Sequence, residues 1–498
     1  MIKHLKPELL PALRDDYGKK GLVKDISAGI MVGIVALPLA IALAIASGLG
    51  PKEGIVTSVV AGLVSALVGG SRHQISGVTG AFSVVVSGLL AKFGMAGLAS
   101  ATFIAGVILV IMALFKAGAL VKYIPAPVVA GFTMGIAAII FISQLKDFLG
   151  IYIHFPAGNL KKIIAIFSNL NLTQLSSVLT GAAALAVIIT AEKLNPRLPS
   201  MFLALIVCSV INIWAKAPTL GDFFGSENLT LTPDLSFLGS SGTIAQLLPA
   251  AATIAMLSAI SALLSAVVAE ELSGKKHNPH SELFGQGLAN IIAPIFGGSP
   301  STGAVARTSE NVRAGAKSPI SAVVHCLVMA LWGFVFMGLA AYIPMSAFAA
   351  VLFIVCYNMS DFKRAGYICR VSLKDITLLT AAFLLTVFAD LILAILLTSA
   401  AAAAVELLFR LSPKHRGSII CEDGTVHLKG RISYLDLKAL SDIETDVLDF
   451  NGITRIDSDA LLRISRLLKS GKIKRIRCDN AKLMRRVKHD TEFVRRLL

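Results

Sequence analysis

The feature that most constrains this chain is the repetition of long runs that carry no charge. Ile26 to Pro51 is one; Gly54 to Ser71, Phe93 to Phe115 and Tyr123 to Leu145 are others. Each approaches the roughly 20 apolar residues needed to cross a bilayer core. The runs are apolar all round and do not alternate, which predicts helices and excludes a barrel. Composition agrees: 15% of residues are charged and 55% hydrophobic, against about 25% charged in soluble domains. The expected fold class is therefore an α-helical polytopic membrane protein. No cleavable leader pattern precedes the first run, which is expected to act as an uncleaved anchor.

Charge sorts the loops. Lys19, Lys20 and Lys24 precede the first run, and Lys193 with Arg197, Lys275 with Lys276, Arg313 with Lys317, and Lys363 with Arg364 lie in short connections. Cytoplasmic loops collect such residues, so both termini are expected in the cytoplasm and the number of spans is even; the count is fourteen, and hydropathy alone also allows twelve. The expected divisions are a cytoplasmic segment 1–20, a transmembrane domain 21–410 and a cytoplasmic α/β domain 411–498. In the last, "SIICEDGTVHLKG" and "TDVLDFNGI" read as strands, and "DSDALLRISRLLKSG" as a helix with Asp457 or Ser458 near its start and Gly471 after its end. The surplus of 46 Lys and Arg over 30 Asp and Glu fits a membrane-facing surface. The tail has almost no aromatics for base stacking, so no nucleic acid is expected as partner. The six cysteines form no Cys-x-x-Cys pair, and neither metal nor cofactor is expected.

Two stretches break the apolar pattern at membrane depth. "VGGSRHQISGVTGAFSVVV" (Val68 to Val86) and "FGGSPSTGAVART" (Phe296 to Thr308) each have Gly-Gly-Ser followed by Thr-Gly-Ala, one in each half of the chain. A transporter built from two repeats produces such an echo, and seven spans per half would invert one repeat relative to the other. Unpaired backbone is not tolerated in lipid, so such segments line a cavity or are buried in protein. Gln74 to Val78 and Gly298 to Ser301 are expected to be extended, with helices beginning near Thr79 and Thr302, these threonines at or near the caps. Two facing helix starts, each worth roughly +0.5 charge, suit a small anion. Gly80 and Gly303 would admit it to the backbone, and Arg307 would add a full charge or pair with Glu310.

These residues carry a resemblance. "ALPLAIALAIASGL" (Ala36 to Leu49), "GGSRHQISGVTGAF" (Gly69 to Phe82), the block from Ser261 to Pro319 and "LDFNGITRIDSDAL" (Leu448 to Leu461) are similar to the SulP sulfate-permease family of anion transporters, which includes prestin and pendrin, and the tail is similar to a short STAS domain. The resemblance implies two inverted seven-span repeats, fourteen spans in all, divided into core and gate domains that move in an elevator-like way, in a homodimer in the cytoplasmic membrane. It implies an anion site between spans three and ten: Leu39 and Leu43 from the first span, Thr79, Gly80, Ala81 and Phe82 from the third, and Thr302, Gly303, Ala304, Val305, Ala306 and Arg307 from the tenth. Bicarbonate, sulfate, chloride and dicarboxylates all fit, with Na⁺ or H⁺ as co-substrate and lipid as the surrounding partner.

Two departures bear on coupling and control. Ser261 stands where sodium-coupled members carry an acid, so a cation site would rest on Ser261, Ser265 and Thr302 without a carboxylate, and exchange or uncoupled transport gains weight. Asp390 is the other deep acid. In the tail, Asp459 occupies the position that a phosphorylated serine holds in related proteins. The alternatives are a nucleobase permease of the same fold, which calls for an eighth-span carboxylate, and a non-transporting STAS scaffold, which gives no reason for two breaks. No nucleophile–base pair lies at spanning depth, so no enzyme is expected.

Overall fold

The computed structural model describes residues 5–478 except 16, 117, 119–124, 154–157, 196–197, 226–228, 230, 241–243, 389–396, 406–417, 423–424, 433–435, 437–444 and 470–471. Asp390 and Gly471 lie outside the described residues. The chain divides into two compact units, residues 1–121 with 136–357, and residues 122–135 with 358–498.

The first unit is helical. In chain order it contains α1 (Lys19–Ala46), α2 (Pro51–Val68), the two-residue strand β1 (Ser76–Gly77) and α3 (Ser83–Leu114), which a 3₁₀ turn at Gly80–Phe82 introduces. Next comes α4 (Ala126–Leu149), whose first ten residues belong to the other unit, then α5 (Leu175–Leu194), α6 (Ser200–Ala215), α7 (Ile244–Ser273) and α8 (Pro279–Ile292). The strand β2 (Thr302–Gly303), the short helix α9 (Val305–Arg313), α10 (Ile320–Val335) and α11 (Met345–Ser360) complete it, apart from the last residues of α11.

Among the described residues seven helices are long and apolar enough to cross a membrane, and α6 and α10 are shorter apolar ones. One of the seven, α3, is interrupted: Gly94 has φ 63° and ψ −168°. The apolar run that the sequence starts at Phe93 begins at this break. Lipid tails give little reason for apolar helices to associate, so close packing must do it. Gly29 and Gly33 on α1 show how: a Cβ on either would strike Val324 or Val328 of α10.

The N-terminal segment is tied down. A short helix, Leu9–Arg14, buries Ala12. Arg72 Nε donates to Glu8 at 2.7 Å and its Nη2 to Asp15 at 2.6 Å. The Arg72 guanidinium also holds the Asp15 carboxyl below its ordinary range. Asp25, fully buried, accepts from the Lys317 and Ser318 amides, the Ser318 hydroxyl and the Tyr17 phenol.

The second unit contains α12 (Phe362–Val371), α13 (Leu373–Phe388), β3 (Ser418–Glu422), β4 (Thr425–Ile432), β5 (Thr445–Ile456), α14 (Ser458–Lys469) and β6 (Ile473–Arg477). The sheet order is β3-β4-β5-β6, with β3 and β4 an antiparallel hairpin and the other pairs parallel. The strands and helix expected from the tail sequence are present. Alternating residues of β5, Leu448 and Phe450, are buried with Leu461, Ile464 and Leu468 of α14. Burial of such a side chain contributes about 2 kcal/mol. Val371 of α12 is part of the same core.

Three carboxylates gather at the start of α14. Asp457 Oδ1 accepts from Ala460 N at 3.0 Å and caps the helix. Asp375 Oδ2 accepts from Ser458 N at 2.9 Å. Both oxygens of Asp459 accept from Ala126 N, the first residue of α4, at 3.0 and 3.1 Å. Burial, then the charges of Asp459 and Asp375, push the Asp457 carboxyl well above its ordinary range.

Candidate anion site

The two echoing segments meet. Ser76 pairs with Gly303 and Gly77 with Thr302 in an antiparallel bridge. Ser76 and Gly77 lie in the stretch expected to be extended, whereas Thr302 and Gly303 lie just past the one expected at Gly298 to Ser301. The bridge meets backbone hydrogen-bonding needs that lipid would leave unmet. Helical geometry begins three residues past β1, at Gly80, where Phe82 N donates to Thr79 O at 3.3 Å, and two residues past β2, at Val305, where Thr308 N donates to Ala304 O at 2.9 Å. The first-turn amides of Gly80, Ala81, Val305 and Ala306 lie ahead of these bonds, where helices have unspent N–H groups. Two helix starts thus flank one bridge.

The caps differ from expectation in one half. Thr79 is the N-cap residue of the 3₁₀ turn, although its hydroxyl makes no capping bond. Thr302 is not a cap. It sits in β2, its Oγ1 donates to Ser258 O at 2.8 Å, and Ala304 holds the cap position of α9. The cause is the bridge: pairing with Gly77 and the bond from Ala304 N to Ile75 O keep the chain extended to residue 304.

Polar side chains of three helices hold the extended segments. Asn290 of α8 grips Ser301 reciprocally, Oδ1 accepting from Ser301 N and Nδ2 donating to Ser301 O, both at 2.9 Å. Gln286 Nε2 donates to Ser76 Oγ at 2.8 Å, and Thr57 Oγ1 of α2 accepts from Ser299 N at 2.7 Å. From α7, Ser258 Oγ donates to Ser301 O at 3.0 Å, and Ala262 O accepts from Gln74 Nε2 at 3.1 Å. Gly303 is wedged beneath this bond: a Cβ there would collide with the Gln74 amide. None of these amides was singled out from sequence. The signal was available in "FGQGLANIIAP", since polar side chains inside an apolar span face the protein interior.

Arg307 is 3% exposed and its Nη2 donates to Val78 O at 2.6 Å. Its buried Nη1 has no hydrogen-bond partner among the described residues, nor do the buried hydroxyls of Thr79 and Ser83. Among the described residues no ion pair joins Arg307 to Glu310. A buried cation beside two helix starts, with the Glu310 carboxylate near it but in no ion-pair contact, still calls for negative charge.

The other expected residues distribute as follows. Gly80 and Phe82 are buried and Ala81 half-buried at the start of α3; Gly303 is buried, Ala304 and Val305 are half-buried, and Ala306 is exposed. Leu39 is half-buried and Leu43 buried on α1, which packs against α9 and α3. Ser261 is half-buried on α7, while Ser265 Oγ donates to Thr308 Oγ1 at 2.9 Å. The hydroxyl protons of Ser265 and Thr302 are therefore both committed to protein acceptors.

A bundle of apolar helices in which two interrupted helices meet at their starts has a helical polytopic membrane transporter fold. The chain belongs to the sulfate permease family, whose sequence profile matches residues 22–382. It is 39% identical over 340 residues to YvdB of Bacillus subtilis (strain 168), named as a sulfate-transporter candidate; the match covers 66% of this chain and 63% of that protein. It is 32% identical over 348 residues to the bicarbonate transporter BicA of Picosynechococcus sp. (strain ATCC 27264 / PCC 7002 / PR-6), covering 66% of this chain and 60% of that one. The matched part thus spans under two thirds of either relative. Among solved structures, the transmembrane domain of a cyanobacterial BicA superposes with TM-score 0.66 at 28% identity, over 76% of this chain and 98% of that one. The SLC26A9 fold is similar over the whole chain and 91% of its own, with TM-score 0.72 at 16% identity. The family and the relatives so named are transporters, which sets the chain apart from enzymes.

Proposed function

We propose that the chain is a secondary transporter that carries a small anion across the cytoplasmic membrane and holds it between the starts of α3 and α9. The observation that carries this reading is the set of buried side-chain donors that have no partner among the described residues there, the Thr79 and Ser83 hydroxyls and Arg307 Nη1, next to first-turn amides of the kind that helices leave free. Together the two helix starts supply about one positive charge, and Arg307 another. Antiparallel pairing of equivalent segments from the two halves supports two inverted repeats of seven spans. In that arrangement both termini are cytoplasmic, residues 411–498 form a STAS-like domain, and the protein works as a homodimer. Its core, carrying the bridge, moves against the gate as an elevator. The site distinguishes charge rather than shape, so sulfate, bicarbonate, chloride and dicarboxylates are all substrates to be tested. Ser261 offers no charge to Na⁺, which favours exchange or uncoupled transport over cation symport. A nucleobase would require a carboxylate at that position.

Uptake of a labelled anion panel into proteoliposomes tests the reading, with and without Na⁺ and pH gradients. Arg307→Met keeps the volume and removes the charge; it should raise KM at least tenfold for the transported anion while the protein still elutes as wild type. Absence of saturable uptake of every anion by the wild-type protein refutes the function. Wild-type KM in Arg307→Met removes Arg307 from the site.

A further inference from the structure

A cavity lies apart from the bridge. It has a volume of about 320 Å³ and is walled by the C-terminal end of α1 at Ile45, Ala46 and Gly48, by α4 from Ile142 to Asp147, and by Tyr152 and Lys162. Its ionisable lining is unusual for a membrane protein wall. Lys146 and Asp147 come from the last turn of α4, and Lys162 from the short amphipathic helix Asn159–Ser168. Asp147 is 3% exposed, and its Oδ1 forms a loose ion pair with Lys146 Nζ at 3.9 Å. Lys162 is close enough to Lys146 that, after burial, the neighbouring ammonium lowers its pKa. The Tyr152 hydroxyl is enclosed beside the Ser177 side chain, without a well-formed hydrogen bond among the described residues. Two ammonium groups against one carboxylate leave the cavity net positive, and like charges held together gain from an anion between them. The cavity also reaches Ser87 of α3, one turn beyond Ser83. It therefore abuts the same half-helix whose start carries the proposed transport site.

We propose that this cavity is a second anion-binding station, in which Lys146 and Lys162 with the Tyr152 hydroxyl take up a small oxyanion on its way to or from the bridge. In the orientation proposed above, it faces the outside. The inference rests on the transport reading. The lysines raise the local concentration of anion at the entrance, as like-signed linings of a cleft do, so their removal acts on capture rather than on the moving step.

The test is uptake of radiolabelled sulfate and bicarbonate by the full chain in proteoliposomes, from the cavity face and from the opposite face. Lys146→Gln with Lys162→Gln should raise KM from the cavity face by about tenfold. Vmax should stay within about twofold and KM from the opposite face should not change. Lys146→Arg with Lys162→Arg should behave as wild type, and added inert salt should narrow the difference. If the double Gln protein fails to elute as folded, Lys162→Gln alone, on a surface helix, should give a smaller rise in the same direction. An unchanged KM in folded variants overturns the proposal while leaving the transport reading intact; absence of wild-type uptake overturns both. The measurements are repeated in phosphatidylcholine and in phosphatidylglycerol vesicles. A KM difference confined to the anionic vesicles assigns the lysines to a lipid phosphate and overturns the station.

Discussion

The reciprocal amide pair of Asn290 and Ser301 gives the sharpest prediction. Asn290→Leu keeps the side-chain size and removes both bonds, each 2.9 Å long in the structure. Ser301 O retains the Ser258 hydroxyl as a donor, but Ser301 N–H loses its acceptor at a residue with no solvent exposure. A lost bond costs about 1 kcal/mol and an orphaned buried donor about 1–3 kcal/mol, so the expected loss is roughly 2–4 kcal/mol. Thr302 follows Ser301 directly, so the loss falls on the bridge and on the start of α9. If about 2 kcal/mol of it becomes the cost of ordering the site, anion affinity falls about 25-fold. The assay is KM for uptake together with the thermal unfolding midpoint of the purified protein. Both should move, and saturating anion should recover part of the midpoint, since a ligand that binds only the ordered form stabilises it. A folded Asn290→Leu protein with wild-type KM and midpoint would refute the view that this pair sets the geometry of the break.

Three further outcomes are expected. Gly303→Ala should displace the Gln74 amide from Ala262 O, costing about 1–3 kcal/mol and lowering the unfolding midpoint, and the double variant with Gln74→Ala should recover part of it. Asp459→Ala should remove the acceptor of Ala126 N at a cost of about 1 kcal/mol, read as faster hydrogen exchange of the first α4 amides; Asp459→Asn should be milder. Burial, then its bond to Asp25, pushes the Tyr17 phenol up to about 12 from its usual 10. A raised folded-state pKa contributes stability that is complete below pH 10 and is lost as pH rises toward 12, so Tyr17→Phe should flatten that alkaline decline in a denaturation series.

Much of the architecture was legible because membranes impose simple rules. Charge-free runs announced the spans, and the Gly-Gly-Ser and Thr-Gly-Ala echoes marked where helices could not continue. In the tail, alternation gave β5 and the amphipathic pattern gave α14. Sequence could not reveal that Ser76–Gly77 and Thr302–Gly303 pair, because that contact closes over 225 residues and costs no recognisable local signal. Hence the sequence places Thr302 at or near a helix cap, whereas pairing holds it in a strand two residues before the cap residue Ala304. Asn290, Gln286 and Gln74 were overlooked for a related reason: an amide in an apolar run announces burial but not its partner. Arg307 was legible as a buried charge, while its bond to Val78 O depended on the crossing of two segments.

Most fastenings around the two breaks are carboxamides and hydroxyls; Arg307 on Val78 O and Glu282 on Gly70 N are charged ones. Neutral groups of this kind do not titrate between acid and alkali, and dissolved ions do not screen them as they screen charges. The cradle should therefore hold its shape across wide swings of acidity and salinity. A response of transport to those conditions then originates in the ionisable groups, those along the route and the few, Arg307 and Glu282, that the frame itself contains.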